Sequence, residues 1–231
     1  MKKNTEILSV LSWCMIIIGI LLSVIFALAF NRNFYSYEYR KGDQAAQIGM
    51  SDHDLMKATD TLLDYLEDKR DNIRVEATIS GTKTEVFNER ETLHMKDVKT
   101  LYQNAVMTRN ILLITGTVIL ILLCRRHQNQ WHQILSKGYR YGMILILMIV
   151  ILILIWAVAD FYDFWMDFHY LFFDNDLFLL DPNTSVMINM FPETFFSDLV
   201  ILIIIVFGVI SAVTAMILSM INRHYEKRVL L

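Results

Sequence analysis

Two histidines of this chain stand where an imidazole is out of the ordinary. His94 lies in Glu91-Thr-Leu-His94-Met-Lys-Asp97, and on a helix the carboxylates at i−3 and i+3 share its side. Leu93, Val98, Leu101 and Ala105 form an apolar stripe of the same helix, so His94 in its middle is a polar group on a packing face and needs a partner. His169 lies in Asp160-Phe-Tyr-Asp-Phe-Trp-Met-Asp-Phe-His169-Tyr-Leu-Phe-Phe173. At 100° per residue Phe161, Phe164, Trp165, Phe168 and Phe172 fall on one side of a helix there, and Asp160, Asp163, Asp167 and Asp174 on the other. This is the pattern of a helix lying in a headgroup plane, with His169 on the boundary beside Tyr162 and Phe173. A neutral imidazole at that depth can accept and return protons beside a lipid ester. The plain alternative for His94 is a satisfied core histidine.

Other chemistries have less to stand on. The chain has no Gly-x-Ser-x-Gly, His-Glu-x-x-His, phosphate-binding loop or Cys-x-x-Cys. Cys14 and Cys124 sit inside or at the end of apolar runs and read as small hydrophobes. A facial set of His94, His169 and one carboxylate could in principle hold a metal, but no spacing demands it, and neither metal nor cofactor is expected. His53 reads as a solvated residue.

These residues must be positioned by a membrane protein. The chain is 55% hydrophobic, with apolar runs at 7–30, 106–124, 142–159 and 199–221, each long enough to cross a bilayer. The first, behind a basic start, exceeds the h-region of a cleaved signal peptide and is taken as an uncleaved span. Lys2 and Lys3, then Arg125, Arg126, Lys137 and Arg140, then Arg223, Lys227 and Arg228 mark the start, the 125–141 loop and the 222–231 tail. The segment between spans three and four has no Lys or Arg. Positive-inside bias then puts both termini in the cytoplasm, with 31–105 and 160–198 on the outer face.

The 31–105 segment reads as a small α+β cap. Ser51-Asp-His-Asp54 is a helix start, and Leu55, Thr59, Leu62, Leu63 and Leu66 follow at helical spacing to about Asp68. Residues 74–79 and 83–87 read as strands around a Gly81 turn. A helix carrying His94 starts near Asn88. Pro192 and Glu193 start the helix of span four, and Arg109 is expected to snorkel. The expected fold is a four-helix membrane bundle with an α+β extracytoplasmic cap.

Three pieces, Glu91-x-x-His94-Met-x-Asp97-Val-Lys99, Phe168-His169-x-x-Phe172-Phe173 and Phe191-Pro-Glu-x-Phe195-Phe196-x-Asp198, resemble the integral membrane family of bacterial lipoprotein intramolecular transacylases, Lit. The resemblance covers the whole four-span layout. It implies an acyltransferase of the bacterial plasma membrane that moves the sn-2 acyl chain of a diacylated lipoprotein onto the α-amine of its N-terminal cysteine, with two outer histidines matching His94 and His169. The partners implied are that lipoprotein N-terminus and membrane lipid, without nucleic acid. The expected catalytic set is His94 and His169, with Asp97 or Glu91 orienting His94. Trp165, Phe168, Phe172, Phe173 and Asn189 are the candidate substrate-binding residues. The alternative from another class is a non-enzymatic membrane sensor or accessory subunit, and a metal-dependent lipid hydrolase comes third.

Overall fold

The computed structural model describes residues 3–229, with side chains described through Glu226. Lys2 and the side chains of Lys227 and Arg228, part of the charge pattern above, lie outside the described residues. In chain order the elements are α1 (Lys3–Ala29), α2 (Arg32–Lys41), α3 (Gln44–Ile48), α4 (Asp52–Leu66), β1 (Glu76–Ile79), β2 (Thr82–Glu85), α5 (Glu89–Arg126), α6 (Trp131–Ala159), α7 (Phe161–Phe172), α8 (Val186–Met190) and α9 (Glu193–Val229).

Among the described residues four helices, α1, α5, α6 and α9, are long and apolar enough to cross a membrane. The shortest has 27 residues, about 40 Å at 1.5 Å per residue against a hydrocarbon core of about 30 Å. α5 and α6 outrun their apolar stretches most at the N-terminal end. α6 begins at Trp131, well before the apolar run at 142, because backbone hydrogen bonding continues through residues that lipid would not admit. In α5 the charge-free stretch begins only after Arg109, so its first turns lie outside the membrane-spanning part.

The described chain divides into two compact units. One contains residues 3–26, 105–158 and 202–229, the apolar parts of the long helices. In lipid, close backbone approach replaces the hydrophobic effect as the source of helix adhesion, and the small residues here serve it. A Cβ on Gly116 of α5 would stand 2.8 Å from the Ser12 carbonyl of α1, and one on Gly138 of α6 would stand 2.8 Å from the Trp13 ring. Ser9 donates to the Ile134 carbonyl at 2.7 Å, and Tyr139 to that of Ser211 at 2.7 Å. Arg109 donates to the Asn110 side chain and lies 5.3 Å from the Phe26 ring.

The other unit, residues 27–104 and 159–201, is a small α+β body. Ser51 accepts from the Asp54 N–H at 3.0 Å and starts α4, whose Leu55, Ala58, Leu62 and Leu63 are buried. β1 and β2 pair antiparallel from Ile79↔Thr82 to Glu76↔Glu85. Their turn needs positive φ at both central residues, supplied by Ser80 at 50° and Gly81 at 86°. α2, α3 and α8 complete the body; Tyr35 and Tyr39, one turn apart on α2, stack into its core against Phe195 at 5.1 and 6.3 Å.

Candidate active site

Asn88 and Glu91 fix the start of α5 reciprocally: the Glu91 N–H donates to Asn88 Oδ1 at 2.9 Å, and the Asn88 N–H to Glu91 Oε2 at 2.6 Å. This is the logic of a capping box. Glu91 Oε1 accepts from the Ser185 hydroxyl at 2.6 Å and the Met187 N–H at 2.7 Å. The carboxylate is fully buried, and these donors, among the described residues, use both of its oxygens. The expectation that Glu91 orients His94 is therefore not met in this geometry. Sharing a helix side puts two side chains near each other, but the donors at residues 185 and 187 claim the carboxylate first.

His94, one turn further along α5, is buried at 8% exposure. His169 comes from α7, which starts at Asp160, whose side chain accepts the Asp163 N–H at 3.0 Å. The two imidazoles lie with ring centroids 6.1 Å apart, tilted by 32°. Phe173 stands edge-on to His94 at 5.5 Å and 5.7 Å from His169. Phe178 stacks on His169 at 4.9 Å, and Trp165 meets its edge at 5.1 Å. The pair sits in an aromatic box.

His169 Nδ1 lies 2.7 Å from the Trp165 carbonyl. A carbonyl only accepts, so Nδ1 carries the proton and Nε2 of the neutral ring carries the lone pair. Both histidines lie outside the spanning segments, and burial lowers both pKa values. His94 is lowered to about 4, by burial first and then by the charge of His169, with Asp97 acting in the opposite sense and Arg90 in the same one. His169 is lowered by burial against the opposing Trp165 carbonyl. At neutral pH both rings are uncharged.

Asp97, the other candidate orienting carboxylate, accepts from the Asn175 side chain at 2.9 Å through Oδ2; no hydrogen bond joins it to His94 among the described residues. The aromatic side of α7 forms a ladder. Trp165 stacks between Phe161 at 6.1 Å and Phe168 at 5.3 Å, and Phe168 meets Phe172 at 4.9 Å. Phe196 of α9 lies flat on Trp165 at 4.2 Å. Phe173 ends α7 and belongs to the histidine box instead. Asn189 is spent on structure, its amide donating to the Pro182 and Ser185 carbonyls at 2.8 and 2.9 Å. Phe178, Asn175 and Ser185 are the site residues that periodicity could not reveal, since they lie outside regular elements. Among the described residues no three His, Cys, Asp or Glu side chains converge as metal ligands.

Four membrane-length helices and a small α+β body that brings together two neutral histidines, one buried and one half-buried, define an integral membrane protein of the polytopic helical class, with the parts for proton transfer. The chain belongs to the lipoprotein intramolecular transacylase family, Lit, which it matches over residues 9–196. That membership places it among acyltransferase-type enzymes. Solved structures of similar fold include the membrane-integral lipoprotein intramolecular transacylase Lit from Bacillus cereus, at 18% identity, a TM-score of 0.69 and coverage of 99% of this chain and 98% of that one. A histidine-to-alanine variant of the same protein superposes with a TM-score of 0.72 at 17% identity, over 98% of this chain and 96% of that one. No curated protein sequence matches the chain significantly.

Proposed function

We propose that this chain moves the sn-2 acyl chain of the S-diacylglyceryl group on a bacterial lipoprotein's N-terminal cysteine onto that cysteine's own α-amine, leaving a lyso-form lipoprotein. The observation that carries this reading is the pairing of His94 and His169 in one aromatic box. Donor ester and acceptor amine belong to one molecule, so much of the entropic cost of bringing them together is already met and no protein nucleophile is required. His169 acts as the base through Nε2, the nitrogen its backbone bond leaves free. It takes a proton from the attacking nitrogen and delivers it to the departing glyceryl oxygen. His94, neutral at working pH, donates a hydrogen bond from its ring N–H to the tetrahedral oxyanion, a role suited to imidazole rather than imidazolium.

The α7 ladder of Trp165, Phe168 and Phe172, with Phe173 at its end, offers an apolar surface for the acyl chains. Charge placement supports cytoplasmic termini and a site at the outer face of the bacterial plasma membrane. The test is to express the protein in a bacterium with diacylated or triacylated lipoproteins and weigh one N-terminal lipopeptide. Wild type yields one chain on nitrogen and one on glycerol. His169→Asn and His94→Asn each lower the yield by about 10²–10⁴-fold, the usual worth of a positioned acid or base. Full conversion by both variants, at wild-type protein levels, would end the reading.

A further inference from the structure

The charged groups around the histidine pair are not equally satisfied. Glu91 is saturated by three donors. Arg90 is engaged by the backbone carbonyl and carboxylate of Asp176. Asp97 differs from both: it is half-buried one turn beyond His94, it is near enough to act on that ring's protonation, and its hydrogen-bond partner is the uncharged amide of Asn175. No Lys, Arg or His side chain forms an ion pair with it among the described residues. A carboxylate held in place by a neutral amide, near the uncharged His94 ring, is a fixed negative site without its counter-ion.

We infer that Asp97 is the subsite for the substrate's α-ammonium, with Asn175 holding the carboxylate toward the histidines. This rests on the transacylase reading and names the group by which that site would recognise its acceptor. A free α-amine has a reference pKa of about 7.7–8.0 and arrives mostly as the ammonium, a cation that aromatic faces attract but that a carboxylate engages more strongly through charge-assisted hydrogen bonds. The proton balance closes. On passing from R–NH3+ to the amide N–H the nitrogen gives up two protons: one reaches the glyceryl oxygen as the C–O bond breaks and the C–N bond forms, and the other leaves to water. The His169 imidazolium formed in transit is short-lived, since the ring returns its proton to the glyceryl oxygen as the C–O bond breaks.

The experiment is a binding comparison with two unreactive probes on the full-length protein in detergent. One is a diether lipopeptide, which lacks the transferable ester but keeps its free amine; the other is the same lipopeptide N-acetylated. Wild type binds the free-amine probe about ten- to a hundredfold more tightly, the size of a charge-assisted hydrogen bond. In Asp97→Asn this preference falls to within about threefold while affinity for the acetylated probe stays unchanged, and Asn175→Ala reduces it part-way. A merely structural role would weaken both probes together. An undiminished preference in Asp97→Asn overturns the subsite while leaving transacylation by the wild type standing. Failure of wild type to bind either probe would sink the subsite and the transacylase reading together.

Discussion

Replacing Glu91 by Ala is predicted to loosen the fold rather than remove a catalytic group. The substitution leaves the Ser185 hydroxyl and the N–H groups of Asn88 and Met187 without their acceptor. Each unpaired buried donor costs about 1–3 kcal/mol, and the Asn88 end lies where water can partly replace the carboxylate, so the total is about 3–6 kcal/mol. For a chain of this length that is roughly 6–24 °C in Tm. Glu91→Gln recovers part of it, since an amide oxygen still accepts from Ser185 and Met187 while its NH2 faces the Asn88 N–H. The assay is thermal unfolding of detergent-purified protein, followed by lipopeptide conversion measured well below each variant's own Tm. A Glu91→Ala protein with wild-type Tm and abolished conversion would refute the reasoning and restore Glu91 to the role of orienting His94.

Acid should destabilise this protein earlier than its carboxylates alone would dictate. His94 has its pKa lowered to about 4 by burial, so between that value and the ordinary 6.5 the unfolded chain binds a proton that the folded one refuses. Stability is full above about 6.5 and is lost as pH falls toward about 4, by about 3 kcal/mol for this group. His94→Gln should flatten that part of a Tm-against-pH curve, and an unchanged slope would count against the burial. Trp165→Ala should remove stacking on Phe161, Phe168 and Phe196, worth about 0.5–1.5 kcal/mol per ring pair beyond area. It should raise KM and lower kcat together, with Trp165→Phe intermediate; a variant with wild-type kinetics would remove the ladder from the site.

Much of this architecture is written locally. Apolar runs mark the four membrane-length helices, Ser51 and Asp160 announce the starts of α4 and α7, and Gly81 marks the hairpin turn. α2 is harder to see, because its residues are polar on average; the spacing of Tyr35 and Tyr39 and the Asn31 cap were the available signals. The histidine pairing was foreseeable only as a consequence of neighbouring helices. The partners of Glu91 and Asp97 were not foreseeable at all. Ser185 is 94 residues from Glu91 and Asn175 is 78 from Asp97, both in loop segments without periodicity. Helical spacing shows which side a carboxylate leaves from, not which distant donor meets it.

Trp165 occupies two positions at once. Its indole is the middle rung of the α7 ladder, and its carbonyl holds His169 Nδ1. The surface that would feel an acyl chain and the atom that sets the base's direction therefore belong to one residue on one turn of helix. In the proposed reaction, chain preference and proton transfer would be coupled through this one residue. A side-chain change at 165 leaves that carbonyl in place but removes the ring edge that meets the imidazole at 5.1 Å, so re-shaping the ladder would be felt at the base through packing rather than through its backbone bond.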